Sequence, residues 1–343
     1  MKIGLDAMGG DFGPKVTLEG AIEAAELLPD DIIALYGQED FIKEEEKELY
    51  KWKPWKKLPP NIEIRHCEQT VGPEEKPQAA FQGKQNSSMM MGLTDHKAGK
   101  IDGFVSAGNT GALMLGAAMI LGRLEGISRP ALAALIPAKN GLGKSLLIDA
   151  GANADTKPQN LLEFGIMGSL YMSIAASTRS IRSGLLSIGE ERTKGNQLTV
   201  QSYELLEKYL EGFKGNIEGR DLIAGKVDVI ITDGFTGNIA LKLIESIATT
   251  IFGEFKSLVK KSIRTKIGTT FFHSEIKNIA RNYDYAEYGG APLLGLNGYV
   301  IKSHGVSTNV AIKNAVIFIK KLYENSLNET ITAKLKLIGG QNV

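Results

Sequence analysis

The sequence predicts a three-layer α/β/α sandwich built on a mostly parallel, doubly wound (Rossmann-like) sheet. Three observations carry that prediction. Short apolar, β-branched runs alternate with longer helical stretches along the chain. Each of these runs ends in Gly, Asn or Asp before a helix begins. The one long uncharged stretch, Gly103 to Gly122, holds five glycines together with Ser106, Asn109 and Thr110. It reads as strand, polar turn and helix, and not as a membrane span.

In chain order, residues 2–5 form a strand, 17–28 a helix, 32–36 a strand and 39–52 a charged helix. Residues 62–66 are the next strand, and 78 to about 97 are helical. Strands at 104–106 and 131–137 flank an apolar helix at 110–121. Apolar strands at 146–149, 185–188 and 227–232 complete the pattern. From 238 to 288 the chain departs from it. Ile239, Leu243, Ile247, Ile251, Phe255, Leu258 and Ile263 keep helical spacing. Cations then accumulate at Lys256, Lys260, Lys261, Arg264 and Lys266, followed by an apolar tip at Phe271 and Phe272 and a second helix from Ser274. This segment reads as an amphipathic helical hairpin projecting from one α/β domain of residues 1–343.

Composition narrows the function. The 343 residues are 43% hydrophobic and 23% charged, which excludes disordered, collagen-like and low-complexity classes. Forty Lys and Arg against 39 Asp and Glu give a net charge of +1, with no whole-surface attraction to nucleic acid. Cys67 is alone and the four histidines are scattered, so neither a disulfide nor a structural zinc pattern exists. Asp6 and Asp11 interrupt any signal-peptide core, and a cytoplasmic protein is expected. G-x-G-x-x-G and G-x-S-x-G are absent. Asn140-Gly-Leu-Gly-Lys-Ser145 imitates the end of a phosphate loop. It lacks the first glycine, at Ala138, and runs into a strand where that loop must enter a helix. No histidine has an aspartate five residues on, which excludes a glycerol-type acyltransferase motif.

Six polar turns follow apolar strands: 6–11, 106–111, 149–153, 188–191, 232–238 and 302–305. In open sheets ligands bind outside the carboxyl ends of strands, so one shared site is expected there. Together with their neighbours these turns resemble the phosphate acyltransferase PlsX family of bacterial phospholipid synthesis. The resemblance rests on nine strings in family order. Among them are Asp6-Ala-Met-Gly-Gly-Asp11, Ser106-Ala-Gly-Asn-Thr-Gly111, Asp149-Ala-Gly-Ala-Asn153, Asp233-Gly-Phe-Thr-Gly-Asn238, Tyr288-Gly-Gly-Ala-Pro292 and Ile301-Lys-Ser-His-Gly305. After Pro77 the family often has an Arg-rich helix start, where this chain keeps only Lys84.

The resemblance implies transfer of a fatty acyl group from acyl carrier protein to inorganic phosphate, feeding a glycerol-3-phosphate acyltransferase. It implies a fold similar to phosphate acetyltransferase and isopropylmalate dehydrogenase, a homodimer, peripheral membrane association, and no metal or organic cofactor. The competing readings are a non-catalytic lipid or carrier-protein binding module and an isopropylmalate-type dehydrogenase.

Such chemistry needs a phosphate cradle, oxyanion donors and a dry pocket. Phosphate is itself the nucleophile, so the lack of a triad fits. Ser106, Gly108, Asn109, Thr110 and Gly111 form the first candidate cradle, at the start of an apolar helix. Asp233, Gly234, Thr236, Gly237 and Asn238 repeat the design, with Lys242 one turn on. Asn153 and Asn238 can donate to an oxyanion. Gly9 and Gly10 belong to the first loop. Asp6, Asp11, Asp149, Glu190, Glu191 and Asp233 can orient Lys194, Lys242 or His304, or cap helices. His304 is a general acid or a phosphate contact. At the hairpin tip, Ile263, Ile267, Phe271 and Phe272 among Lys260, Lys261, Arg264 and Lys266 suit an anionic membrane or the acidic carrier protein.

Overall fold

The structure, a computed structural model, describes residues 1–52, 55–260 and 289–339. One eleven-stranded sheet runs through these residues. Its first block comprises β1 (Lys2–Asp6), β2 (Ile32–Gly37), β3 (Ile62–His66), β4 (Gly103–Ser106) and β11 (Val300–Lys302). The second comprises β6 (Lys144–Ile148), β7 (Ser183–Leu186), β8 (Phe213–Ile217) and β9 (Val229–Ile231). Between the blocks lie β5 (Ala131–Pro137) and β10 (Ala291–Leu294). The order is β3-β2-β1-β4-β11-β10-β5-β6-β9-β7-β8.

Within each block the strands are parallel, but β11–β10, β10–β5 and β5–β6 are antiparallel. The two blocks therefore run in opposite directions, which the strand–helix pattern does not reveal. The six turns are not at one edge of the sheet. Register brings the two sets together instead. Lys302 lies opposite Ala291, Leu293 opposite Leu132, and Ile148 opposite Ala133. Both blocks thus end near the middle of β5, with their carboxyl ends facing each other.

Strand residues alternate between two cores. Ala133, Leu135, Leu146, Ile148, Val229 and Ile231 pack on one side. That side is covered by α1 (Lys15–Leu27), α2 (Glu39–Leu49), α6 (Pro158–Ala175), α7 (Gln197–Tyr209), α10 (Asn309–Glu324) and α11 (Leu327–Gly339). Leu132, Ala134, Ile136, Leu147 and Ile230 pack on the other. This second side carries α3 (Pro77–Gly83), α4 (Ser88–Lys97), α5 (Thr110–Ile120), α8 (Asp221–Ala224) and α9 (Gly234–Lys260). Two-sided burial is what a mostly parallel sheet demands.

The expected helix at 78–97 is two helices. Lys84–Ser87 breaks it, and Ser87 caps α4 by accepting from Met90 N at 3.4 Å. The helix expected to reach Trp52 stops at Leu49. Strands β8 and β10 and helices α6, α7, α8, α10 and α11 lie beyond the elements predicted from patterning. Helix α9 is described through Lys260. The expected hairpin tip and return helix, with Lys261, Ile263, Arg264, Lys266, Ile267, Phe271 and Phe272, and the Lys260 side chain, lie outside the described residues. Among the described residues no helix is long and apolar enough to cross a membrane.

Candidate active site

Where the carboxyl ends meet, α5 and α9 leave a groove over β5 and β10. Its polar lining is Thr110, Asn238, Lys242, Glu245, Lys302, Ser303, His304 and Ser307; Leu132, Ala134, Leu135, Ala150 and Leu241 supply apolar walls. Four predicted site residues reach it: Thr110, Asn238, Lys242 and His304. The turns after β4, β6, β9 and β11 contribute to it, whereas the turns at 6–11 and 188–191 do not line it.

The turn after β1 supports the groove from behind. Asp6 is buried and accepts from Ser106 Oγ at 2.7 Å, and Gly108 N donates to the same Ser106 oxygen at 3.0 Å. Asp11 N donates to Gly305 O at 2.8 Å. Gly9 admits close approach, since a Cβ there would sit 2.6 Å from Gly108 N. Gly10 packs on Gly305 and Ala107, and Gly111 on Pro77. Burial pushes the Asp6 carboxyl above the ordinary range, with Ser106 the largest opposing influence.

The turn after β6 is equally structural. The Asp149 carboxylate accepts from the N–H groups of Leu132, Gly151, Ala152 and Asn153, and from Asn153 Nδ2 at 2.8 Å. Asn153 Nδ2 also donates to Pro130 O at 2.8 Å. Both amide hydrogens are therefore committed, and Asn153 is no free oxyanion donor. Gly234 and Gly237 seat α9 on this turn; a Cβ at Gly237 would meet Asp149 O at 1.9 Å.

Asn109 corrects the sequence reading most sharply. Its Oδ1 accepts from Ala112 N at 3.0 Å, while Nδ2 donates to the carbonyls of Gly72, Pro73 and Glu75. It caps α5 and ties down the 72–75 loop. The anion donors left at α5 are the N–H groups of Thr110 and Gly111, which have no partner among the described residues. The start of α9 is no second cradle. Asp233 already accepts from Thr236 N and Thr236 Oγ1, each at 2.8 Å, so a carboxylate occupies that end. What α9 offers the groove is its next turn, where the Asn238 amide and Lys242 have no partner among the described residues.

Four predicted cations and acids are elsewhere. Lys84 Nζ is held by Glu75 and by Thr70 O. Glu190 pairs with Lys226 at 2.6 Å and Arg220 at 3.9 Å. Glu191 and Lys194 form an exposed turn of their own, Lys194 N donating to Glu191 O.

Lys302 was not singled out from sequence, and it is the most informative residue of the groove. It is 8% exposed, and Nζ donates to Ala107 O at 3.2 Å and to Ser303 O. An ammonium has three donors, these carbonyls take two of them, and the side chain lines the groove. Burial lowers its pKa to about 8, opposed by the charges of Asp6 and Asp11. Glu245 was missed as well. Burial pushes its carboxyl up, opposed by His304 and Lys242. A lysine inside a short strand gives no periodic signal; only its neighbour His304 drew attention to that turn.

This sheet, with two facing half-sheets and a groove between them, defines a fold shared with solved acyl- and phosphate-handling enzymes. The EutD phosphotransacetylase of Staphylococcus aureus matches with TM-score 0.58 at 17% identity, over 94% of each chain. 4-Hydroxythreonine-4-phosphate dehydrogenase of Klebsiella pneumoniae matches with TM-score 0.51 at 10% identity, over 94% of this chain and 97% of that one. At those identities the fold alone is shared. Sequence goes further. The family described as fatty acid synthesis protein matches residues 1–330. A phosphate acyltransferase of Alkaliphilus oremlandii is 44% identical over 339 residues, 99% of this chain and 98% of that protein. One of Pelotomaculum thermopropionicum is 44% identical over 338 residues, 98% of this chain and 96% of that protein. The chain belongs to the phosphate acyltransferase (PlsX) family and is an acyltransferase.

Proposed function

We propose that the groove between α5 and α9 transfers a fatty acyl group from acyl carrier protein to inorganic phosphate, giving acyl phosphate for glycerol-3-phosphate acylation. The observation that carries this reading is Lys302, a buried cation that lines the groove together with Thr110, where the N–H groups of Thr110 and Gly111 have no partner among the described residues. Those donors, with the Thr110 hydroxyl, suit a phosphate. A phosphate oxygen attacks the thioester carbonyl carbon. The C–O bond forms, the carbonyl oxygen takes the negative charge, and collapse breaks the C–S bond. Asn238 and Lys242, which line the groove, are the donors that this reading assigns to that oxyanion. A thiol of pKa about 8.5 departs as thiolate without a strong acid. The apolar walls limit water, which would hydrolyse the product.

The test is phosphate-dependent loss of the carrier thioester by the purified protein. Asn238→Ala is expected to reduce turnover about 100-fold or more, the typical effect of losing one oxyanion donor. Asn109→Ala is expected to keep turnover while losing roughly 1–2 kcal/mol of stability with its cap. Thioester loss that ignores phosphate, or an Asn238→Ala variant within a few-fold of wild type, refutes the assignment.

A homodimer belongs to the same reading. Ile239, Leu243, Ile247 and Ile251 are 49–60% exposed along one stripe of α9, more apolar surface than a helix facing water retains. A second copy covering this stripe sediments at twice 37.1 kDa. A monomer at micromolar concentration removes the dimer.

A further inference from the structure

Glu245 is the one acid among the described residues that line the groove, and the reaction as assigned leaves it unused. The helical repeat puts it there. Asn238, Leu241, Lys242 and Glu245 stand at i, i+3, i+4 and i+7 along α9, one face of a helix, and all four line the groove. Other acids around the groove are spent. Asp6 accepts from Ser106 Oγ, Asp149 from backbone N–H groups, and Asp233 from Thr236. The Glu245 carboxyl has no hydrogen-bond or ion-pair partner among the described residues, although Lys242 lies one turn away.

An unpaired, half-buried carboxylate is unsuited to binding in a site that collects phosphate. It repels the anion, and burial already disfavours its charged form. The titratable groups lining the groove with it are Lys242 on its own helix, Lys302 on β11 and His304 in the turn after β11. His304 and Lys242 favour the carboxylate, while burial, the larger influence, favours the neutral acid. Both forms of the carboxyl therefore find support in the groove, which is what a group that gives up and regains a proton requires.

We propose that Glu245 is the acid that protonates the departing thiolate. The proposal rests on the acyl transfer assigned to the groove. In that transfer phosphate sits toward Thr110 and Lys302, and the oxyanion toward Asn238 and Lys242. Glu245 comes one turn after Lys242, about 4.5 Å further along the helix axis, on the side left for the sulfur. When the C–S bond breaks, its electron pair stays on sulfur, and the Glu245 proton bonds to that pair. A thiol holds its proton with a pKa of about 8.5, against about 4.3 for an ordinary Glu, so the transfer is downhill even from a carboxyl raised by burial. Protonation prevents reversal, because a bare thiolate beside the acyl phosphate attacks it and restores the thioester. Protons balance over the turnover. Hydrogen phosphate brings one proton, the acyl phosphate gives it up to the Glu245 carboxylate, and the acid is ready again.

The test compares two decanoyl thioesters, one of an alkyl thiol and one of a more acidic aryl thiol, beside the acyl carrier protein thioester, all with phosphate. Glu245→Gln keeps the shape of the side chain and should unfold at the wild-type temperature. Its turnover should fall on the order of 100-fold with the carrier and alkyl thioesters. With the aryl thioester, whose thiolate persists without a proton, it should stay within a few-fold of wild type. Glu245→Asp, which keeps an acid, should recover part of the loss. A loss of equal size on both decanoyl thioesters means that Glu245 only holds Lys242 or the fold, and overturns the proposal. A Glu245→Gln protein as active as wild type on the alkyl thioester overturns it too. The assignment of the groove fails separately, when wild type itself consumes no thioester in response to phosphate.

Discussion

Lys302→Met is expected to lower phosphate-dependent acyl transfer about 100- to 1000-fold, because it removes a preorganised donor from a water-poor site. The Michaelis constant for phosphate should rise as well. The pH profile separates this from a general packing defect. In wild type the ammonium is lost as pH rises through about 8. Phosphate use should weaken above that pH in wild type, and this limb should be missing in the variant. Stability moves the other way. The folded pKa of about 8 lies below the ordinary value of 10.5, so between these pH values the unfolded chain binds more protons than the folded one. Wild-type stability therefore gains a component that rises with pH across that window and is absent below it. Lys302→Met lacks that component. Activity within a few-fold of wild type, or identical pH profiles for the two proteins, rules out Lys302 as the phosphate-facing cation.

Gly237→Ala and Gly253→Ala, the same substitution in one helix, are expected to act with opposite sign. At Gly237 the new methyl would lie 1.9 Å from Asp149 O and 3.0 Å from Asp149 C, both backbone atoms of a turn held by five hydrogen bonds. Neither side can yield, so α9 must lift from β6. The cost is at least about 3 kcal/mol, the upper part of the range for overpacking. Lifting α9 also displaces Asn238 and Lys242, so activity should fall beyond the stability loss. At Gly253 a methyl meets nothing within 4 Å among the described residues. There the gain in helix propensity should stabilise by about 0.5–1 kcal/mol. Thermal unfolding of both variants checks the pair. A Gly237→Ala protein as stable as wild type would show that α9 does not rest on the Asp149 turn as described.

Much of the fold is legible because strands buried on both faces must be continuously apolar and must end in turn-forming residues. The runs that become β5, β6 and β9 satisfy both conditions, and the polar turns after β6 and β9 contribute to the groove. The direction of those strands is not legible. An apolar run reads alike in a parallel or an antiparallel pairing, and β10, which reverses the sheet beside β5, is only four residues long.

At the site, patterning finds turns but cannot say which polar atoms are already used. Asn109 and Asn238 occupy similar Gly-flanked turns. One amide is consumed by three carbonyls and a cap, and the other faces the groove with its donors free among the described residues. Asn153 and Asp149 are joined in the same way into a self-satisfied turn. Lys84, the cation that the sequence offers after Pro77, is held by Glu75.

By itself, then, the sequence determined the α/β class, the alternating cores, the family and the turns around the site. These follow from local chemistry: burial periodicity, turn propensity, and strings of residues that only close backbone approach tolerates. Tertiary structure decided that two oppositely directed half-sheets face one another across β5, that Lys302 and Glu245 enter the groove, and that Asn109 and Asn153 do not. Those outcomes depend on which hydrogen-bond partners and how much solvent each polar group meets once residues far apart in the chain are brought together. No local pattern encodes that.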